Sequence, residues 1–323
     1  MAVALLTLPP EQLELPPDPP PAHRRRTFAV RARNWFRGGG LSAVLFAVPT
    51  LIAFTYFAWW PIAQSVLISL QKTNLVTEPI WIGFQNFEAV LADPLLGTAI
   101  RNTSWYVLLA LVFGFAVPVI YGVLIAELGR WRMTASVLAY IPVIIPPVVA
   151  TLLWKQFYSA EPTGVFNTIA GWFGAGPFAW LQDAALAMPS IVLQTTWAGF
   201  GGTTLVYIAA MASVPRELYE AAEVDGAGVR RRIWHVTLPH LRGVMLLMLL
   251  LQIIGTFQLF TEPYVMTGGG PANSTLTLLM LIYRYAFVYA DFGKATALSL
   301  LLAVALCLLS AVYLWATRKW SKV

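Results

Sequence analysis

The stretch that decides the fold is residues 215–239, PRELYEAAEVDGAGVRRRIWHVTLP. It is polar and helix-prone, and it lies in a chain that is 58% hydrophobic and only 11% charged. Soluble domains carry about a quarter charged residues. Pro215 suits the first turn of a helix, where its missing N–H has no partner to lose. Glu217, Glu220 and Glu223 recur every third residue and so share one helical side. Ala221 and Ala222 favour helix. Asp225-Gly226 ends it, because glycine readily adopts the left-handed conformation of a helix C-terminus. A second short helix is expected from Ala227 to about Thr237, carrying Arg230 to Arg232, with Pro239 marking the approach to the next apolar run. The acidic half lies toward the positive helix N-terminus, as the macrodipole prefers.

Working outward, apolar runs long enough to cross a bilayer, roughly 20 residues each, flank this segment. They cover 41–70, 103–128, 133–154, 184–212, 243–264 and 295–317. Pro49, Pro61, Pro142, Pro146, Pro147 and Pro263 mark expected kinks or ends. The fold class is therefore all-α, a polytopic membrane protein with six transmembrane helices. Segment 276–292 is apolar but holds Arg284 and Asp291. It reads as an interfacial or partly re-entrant helix, with a seventh span as the alternative. Residues 1–38 are rich in proline and then arginine and read as a disordered basic cytoplasmic tail rather than a signal peptide. Residues 39–323 form the transmembrane domain.

Charge placement sets the expected orientation. Sixteen of the 21 lysines and arginines fall in the N-terminal tail, the 128–132 link, the 215–242 loop and the C-terminus. Only Lys72, Arg101, Lys155, Arg284 and Lys294 fall in the alternate loops. Cytoplasmic loops carry the basic excess. Both termini and the 215–242 segment are thus expected in the cytoplasm, in a multi-pass protein of the inner or plasma membrane. The net charge of +6 is then a topology signal, not a nucleic-acid footprint. Cys307, the single cysteine, excludes an intrachain disulfide or a cysteine-rich metal site.

The run Val214 to Ala222, then Asp225-Gly226-Ala227, then Thr237-Leu238-Pro239, resembles the EAA loop of ATP-binding-cassette importer permeases. Gly83-Phe84-Gln85-Asn86-Phe87, Ala99 to Thr103 and Gly268-Gly269-Gly270-Pro271 are similar to segments of the carbohydrate-uptake branch, the relatives of maltose-type permeases. The resemblance covers residues 40 to 320. It implies that 215–242 forms a coupling helix between spans four and five, with Glu217, Tyr219, Glu220, Ala221, Ala222, Asp225, Gly226 and Ala227 meeting an ATPase subunit. It also implies a second homologous permease, two ATPase subunits that hold ATP and Mg, and an extracytoplasmic solute-binding protein. One departure is Thr261, near where many relatives carry aspartate.

Ionisable and polar groups near the spans are the pathway candidates. Glu262 has three readings: a hydrogen bond to a polyol, an ion pair with Arg284, or plain solvation. Gln258 lies four residues before Glu262 and is expected on its face of span five. Gln194, Thr195, Trp197 and Gly199 on span four combine an aromatic ring with amide and hydroxyl groups, which suits a sugar. Ordinary packing is the other reading for Trp197, and close helix contact for Gly199, Gly201 and Gly202. No G-x-x-x-x-G-K-[ST] phosphate loop is present, and His23, His235 and His240 form no catalytic or metal constellation, so no cofactor or catalytic residue is expected in this chain. A secondary, ion-coupled transporter is the alternative function. It would show internal repeats or midmembrane charges, which this sequence lacks.

Overall fold

In the computed structural model, the structure describes residue 38, residues 40–318 and residue 320. The expected tail at 1–38 therefore lies almost wholly outside the described residues. The chain divides into two units at Pro61. In the first, α1 (Gly40–Phe54) runs into a π turn, Thr55–Trp59. Helix α2 (Trp60–Ser69) carries the division near its start.

The second unit begins with a two-residue hairpin, β1 (Gln71–Lys72) against β2 (Ile80–Trp81), antiparallel. Helices α3 (Gln85–Leu91) and α4 (Pro94–Glu127) follow. Asp93 caps α4 by accepting the Leu95 N–H at 2.9 Å, with Pro94 in the first turn. Helices α5 (Arg132–Ile144) and α6 (Pro147–Phe157) meet at a 94° bend. Consecutive prolines explain it: each forces the residue before it out of helical geometry, and Ile145 and Pro146 are both extended. Beyond α7 (Val165–Gly171), α8 (Ala187–Ala212) bends by 72° into α9 (Arg216–Val224) across Pro215.

Among the described residues, four helical stretches are long and apolar enough to cross a membrane: Ser42–Ser69, Pro94–Glu127, Val229–Phe257 and Phe292–Thr317. The count reaches six only if each bent pair is one span. The polar segment's second half is not a separate helix. Helix α10 (Val229–Arg232) passes through a π turn, Ile233–Thr237, into α11 (Leu238–Phe257). Both π turns named so far end two residues before a proline, Pro61 or Pro239. Proline cannot donate to the carbonyl four residues back and its ring crowds it. A wider turn relieves that conflict.

The fifth apolar run also ends earlier than expected. Helix α11 stops at Phe257, and α12 (Thr261–Thr267) is distinct. Pro263 leaves the Leu259 carbonyl without its helical donor, and the Thr277 hydroxyl donates to it at 2.8 Å. Gln258 and Glu262 therefore do not share one helix face. Segment 276–292 folds as α13 (Leu278–Tyr283) and a π turn, Arg284–Val288. Together these eleven residues span about 16 Å, too short for a seventh crossing. Helix α14 (Phe292–Thr317) closes the fold, capped by Asp291.

Buried clusters hold the second unit together. One joins α3, the start of α4, α13 and α14 around Leu276, Leu281, Tyr285 and Ala297. A second is aromatic, around Trp154, Tyr158 and Met188. A third joins α4, α5, α8 and α11 around Ile125, Ala139, Tyr207 and Leu241. Between them the helices expose large apolar side chains, including Leu124, Leu247 and Val304, surfaces suited to lipid.

Candidate functional site

Helix α9 has no buried residue, so its own core does not fix it. Two contacts and a turn do. Tyr219 and Ala222 are half-buried, and the Tyr219 hydroxyl meets Thr237 Oγ1 at 3.1 Å. Glu223 pairs with Arg232 across the turn. The turn closes the helix in a defined way: the Gly226 N–H reaches the Glu223 carbonyl at 2.9 Å and the Ala227 N–H reaches the Ala222 carbonyl at 2.8 Å. That pair of bonds is the Schellman motif, whose penultimate residue must be left-handed. Gly226 occupies it at φ +72°.

This anchoring divides α9 lengthwise. Tyr219, Ala222 and Glu223 face the base of the Val229–Phe257 helix. Glu217, Glu220, Ala221 and Val224 are exposed, at the i, i+3, i+4, i+7 spacing of a single stripe. Val224 is 89% exposed, an unusual position for an apolar side chain beside two carboxylates. Asp225 is exposed and Ala227 half-buried.

A cavity of about 330 Å³ lies between α4, α8 and α11. Tyr106, Ala110 and Gly114 line it at four-residue spacing, as do Thr195, Gly199 and Thr203, with Gln252 and Thr256 from α11. Tyr106 donates to Thr195 Oγ1 at 3.1 Å, and Thr195 donates to the Val192 carbonyl at 3.1 Å. Gln252 Nε2 donates to the Ala110 carbonyl at 2.6 Å. Hydroxyls, one amide and a phenol thus sit on apolar walls. Polar groups fixed on a mostly apolar surface are what orient a small hydroxylated ligand.

Of the sequence candidates, Thr195 and Gly199 reach this cavity. Gln194 is buried on α8 with Oε1 unpartnered. Trp197 packs on Trp154, ring centroids 5.3 Å apart, at the edge of the aromatic cluster. Gln258 is exposed at the end of α11 and donates to the Ile254 carbonyl at 3.3 Å. Thr261 and Glu262 are half-buried in the first turn of α12. Arg284 is engaged elsewhere, with Asn273 Oδ1 at 3.1 Å and the Gly268 carbonyl at 3.4 Å, so of the three readings of Glu262 the ion pair with Arg284 is not seen among the described residues. Tyr106 and Gln252 were missed as site residues. The four-residue recurrence of Tyr106, Ala110 and Gly114 was the available signal. Among the described residues no group of His, Cys, Asp and Glu could hold a metal.

Residues 119–322 match the family described as binding-protein-dependent transport system inner membrane component, and the chain belongs to that family. It is a multi-pass permease of the inner membrane. The chain is similar to the sulfoquinovosyl glycerol transport system permease protein of Agrobacterium fabrum, 33% identical over 86% of this chain and 90% of that protein. It is likewise similar to the arabinooligosaccharides transport system permease protein of Halalkalibacterium halodurans, 29% identical over 85% and 87%. Among solved structures it resembles a chain of a bacterial ABC transporter involved in the import of the acidic polysaccharide alginate. That likeness has a TM-score of 0.78 and 26% identity, covering 90% of this chain and 99% of the other. It also resembles, with a TM-score of 0.78 and 25% identity, a chain of a bacterial alginate ABC transporter solved in complex with an alginate pentasaccharide-bound periplasmic protein.

Proposed function

We propose that this chain is a permease subunit of an ATP-binding-cassette importer that carries a carbohydrate or related polyol by alternating access. It works with a second homologous permease, two ATPase subunits that hold ATP and Mg, and an extracytoplasmic binding protein that delivers the solute. Both termini and the 215–242 loop lie in the cytoplasm; the bent pair α5–α6 contributes one of six spans and α8, without α9, another. Helix α9 is the coupling helix, presenting the Glu217–Glu220–Ala221–Val224 stripe to the ATPase.

The observation that carries this reading is the continuity of the Val229–Phe257 helix. One end is held by α9 through Tyr219 and Thr237. Its further part lines the cavity through Met248, Leu251, Gln252 and Thr256. A helix rises 1.5 Å per residue, so Gln252 lies roughly 22 Å along the axis from Thr237. Displacing α9 therefore moves cavity wall at a distance, with no chemistry needed in this chain. The substrate path runs past Thr195, Gly199 and Gln252, with Gln194, Trp197, Gln258, Thr261 and Glu262 around it. Relatives named for arabinooligosaccharides and sulfoquinovosyl glycerol support a hydroxyl-rich solute.

The test is uptake into proteoliposomes holding the assembled transporter. Glu220→Lys should leave the complex inserted but lower solute uptake per ATP hydrolysed. Wild-type uptake per ATP in that variant would overturn the coupling role of α9. Uptake that ignores ATP and collapses with an ion gradient would instead establish an ion-coupled carrier.

A further inference from the structure

The three glutamates of α9 are not equivalent. Glu217 and Glu220 are exposed, and neither makes an ion pair among the described residues. Glu223 is held by Arg232. The same guanidinium reaches a second carboxylate, Glu127 Oε2, 3.9 Å from Arg232 Nη2. Glu127 is the last residue of α4, while Arg232 lies at the base of the Val229–Phe257 helix. One side chain thus joins the end of α4 to both α9 and its own helix. It is also the sheltered member of the group: Arg232 is 17% exposed, against 60% for Glu223 and 41% for Glu127. Its Nε is buried without a partner. Arg230 and Arg231 beside it are exposed. Arg132 and Glu127 share the lining of a small cavity with Tyr219 and Thr237.

We propose that Arg232 is a positioning residue for energy coupling: its contacts to Glu223 and Glu127 lock α9 to both the α4 end and the base of the cavity-lining helix. The proposal rests on the coupling reading of α9. Without the lock, α9 is attached through the Pro215 bend, the Gly226 turn and the Tyr219–Thr237 contact, and it can tilt without carrying the long helix with it. A planar guanidinium can serve two carboxylates in a fixed geometry, whereas a lysine ammonium is a mobile point charge. Arginine is therefore required here for its shape as well as its charge. Glu223 is engaged within the chain, and Glu217 and Glu220 are left for the partner.

The experiment uses the complete transporter in proteoliposomes, with binding protein and solute supplied, and reads solute taken up per ATP hydrolysed. Arg232→Gln should lower that ratio on the order of tenfold, within the range of coupling between linked sites. Arg232→Lys should recover only part of the loss. The exchange Glu223→Arg with Arg232→Glu should recover more than either reversal alone, which a generally weakened fold would not do. Should Arg232→Gln fail to assemble with the ATPase, Glu127→Gln decides, with a smaller fall expected. A wild-type ratio in Arg232→Gln, or in Glu127→Gln when that variant must decide, overturns the lock. No gain from the exchange overturns it too. If Glu220→Lys uncouples while Arg232→Gln does not, the lock fails and the docking role of α9 stands. If both keep the wild-type ratio, the docking role fails with it.

Discussion

The Tyr285 phenol donates a 2.7 Å hydrogen bond to Asp93 Oδ2, 192 residues away in sequence. It ties the short apolar segment after α13 to the cap of the long helix α4. Lys294 lies 3.9 Å from the same carboxylate oxygen and also 5.0 Å over the Tyr285 ring. One carboxylate therefore organises three elements, and it does so while capping its own helix through the Leu95 N–H.

Tyr285→Phe should destabilise the protein by about 2 kcal/mol, the usual value of a hydrogen bond to a charged group. Thermal unfolding in detergent reads this directly. An unchanged midpoint would show that the bond is solvent-compensated.

The same site predicts a pH effect. Burial alone would raise the Asp93 pKa. The Tyr285 hydroxyl, the Leu95 N–H and the Lys294 charge outweigh burial and hold it below its ordinary 3.8. A depressed carboxylate contributes stability that is fully present above its ordinary value and is lost as pH falls through the folded value. Wild type should therefore lose stability below about pH 4 more steeply than Asp93→Asn. Parallel unfolding curves for the two would refute the assignment.

Two neighbouring glycines on α8 should respond oppositely to alanine. A Cβ on Gly201 would collide with the Ala139 backbone carbonyl, whereas one on Gly202 meets nothing within 4 Å. Gly201→Ala should cost about 1–3 kcal/mol through forced separation of α5 and α8. Gly202→Ala should be neutral or stabilising by up to about 1 kcal/mol, because alanine favours helix. Equal effects at both sites would contradict the close α5–α8 approach.

At Gly226 space is not the issue, since a Cβ there would meet nothing within 4 Å. The left-handed backbone is. Gly226→Val should cost about 1–2 kcal/mol and disturb the closure of α9, lowering uptake per ATP. Gly226→Asn, which tolerates that conformation, should be milder. If valine and asparagine behave alike, the turn is not conformationally limiting.

In the cavity, Gln252→Leu removes an amide from a wall shared with Tyr106 and Thr195. If a solute hydroxyl uses it, the uptake KM should rise roughly fivefold, matching about 1 kcal/mol for one hydrogen bond. Tyr106→Phe should act in the same direction. Transport at wild-type KM in both variants would move the path elsewhere.

Much of the fold was legible because lipid-facing helices must be apolar and their links must not be. The polar island at 215–239 was legible for a different reason: alanine, a regular acidic spacing and Asp-Gly specify a helix and its end locally. What was not legible depended on distant partners. The stop after Phe257 needs Thr277 to receive the Leu259 carbonyl, and no local rule reveals that hydroxyl. Glu262 was offered Arg284 as a partner, but Asn273 and Gly268 take it. Gln252 was hidden because an apolar helix has little periodicity, and Tyr106 carried only the faint mark of its four-residue recurrence with Ala110 and Gly114. Glu223 looked like its two neighbours until Arg232 set it apart.

The widened turn at Ile233–Thr237 has a further consequence. A helix advances about 100° per residue, so one residue taken up in a π turn slips the phase of everything beyond it by about that angle. The side of the helix that presents Arg232 to Glu223 and the side that presents Gln252 to the cavity are thus set by different registers of the same rod. Counting turns from the polar end would assign the wrong residues to the cavity wall. Removing a single residue within the turn would rotate that wall while leaving every side chain on it unchanged.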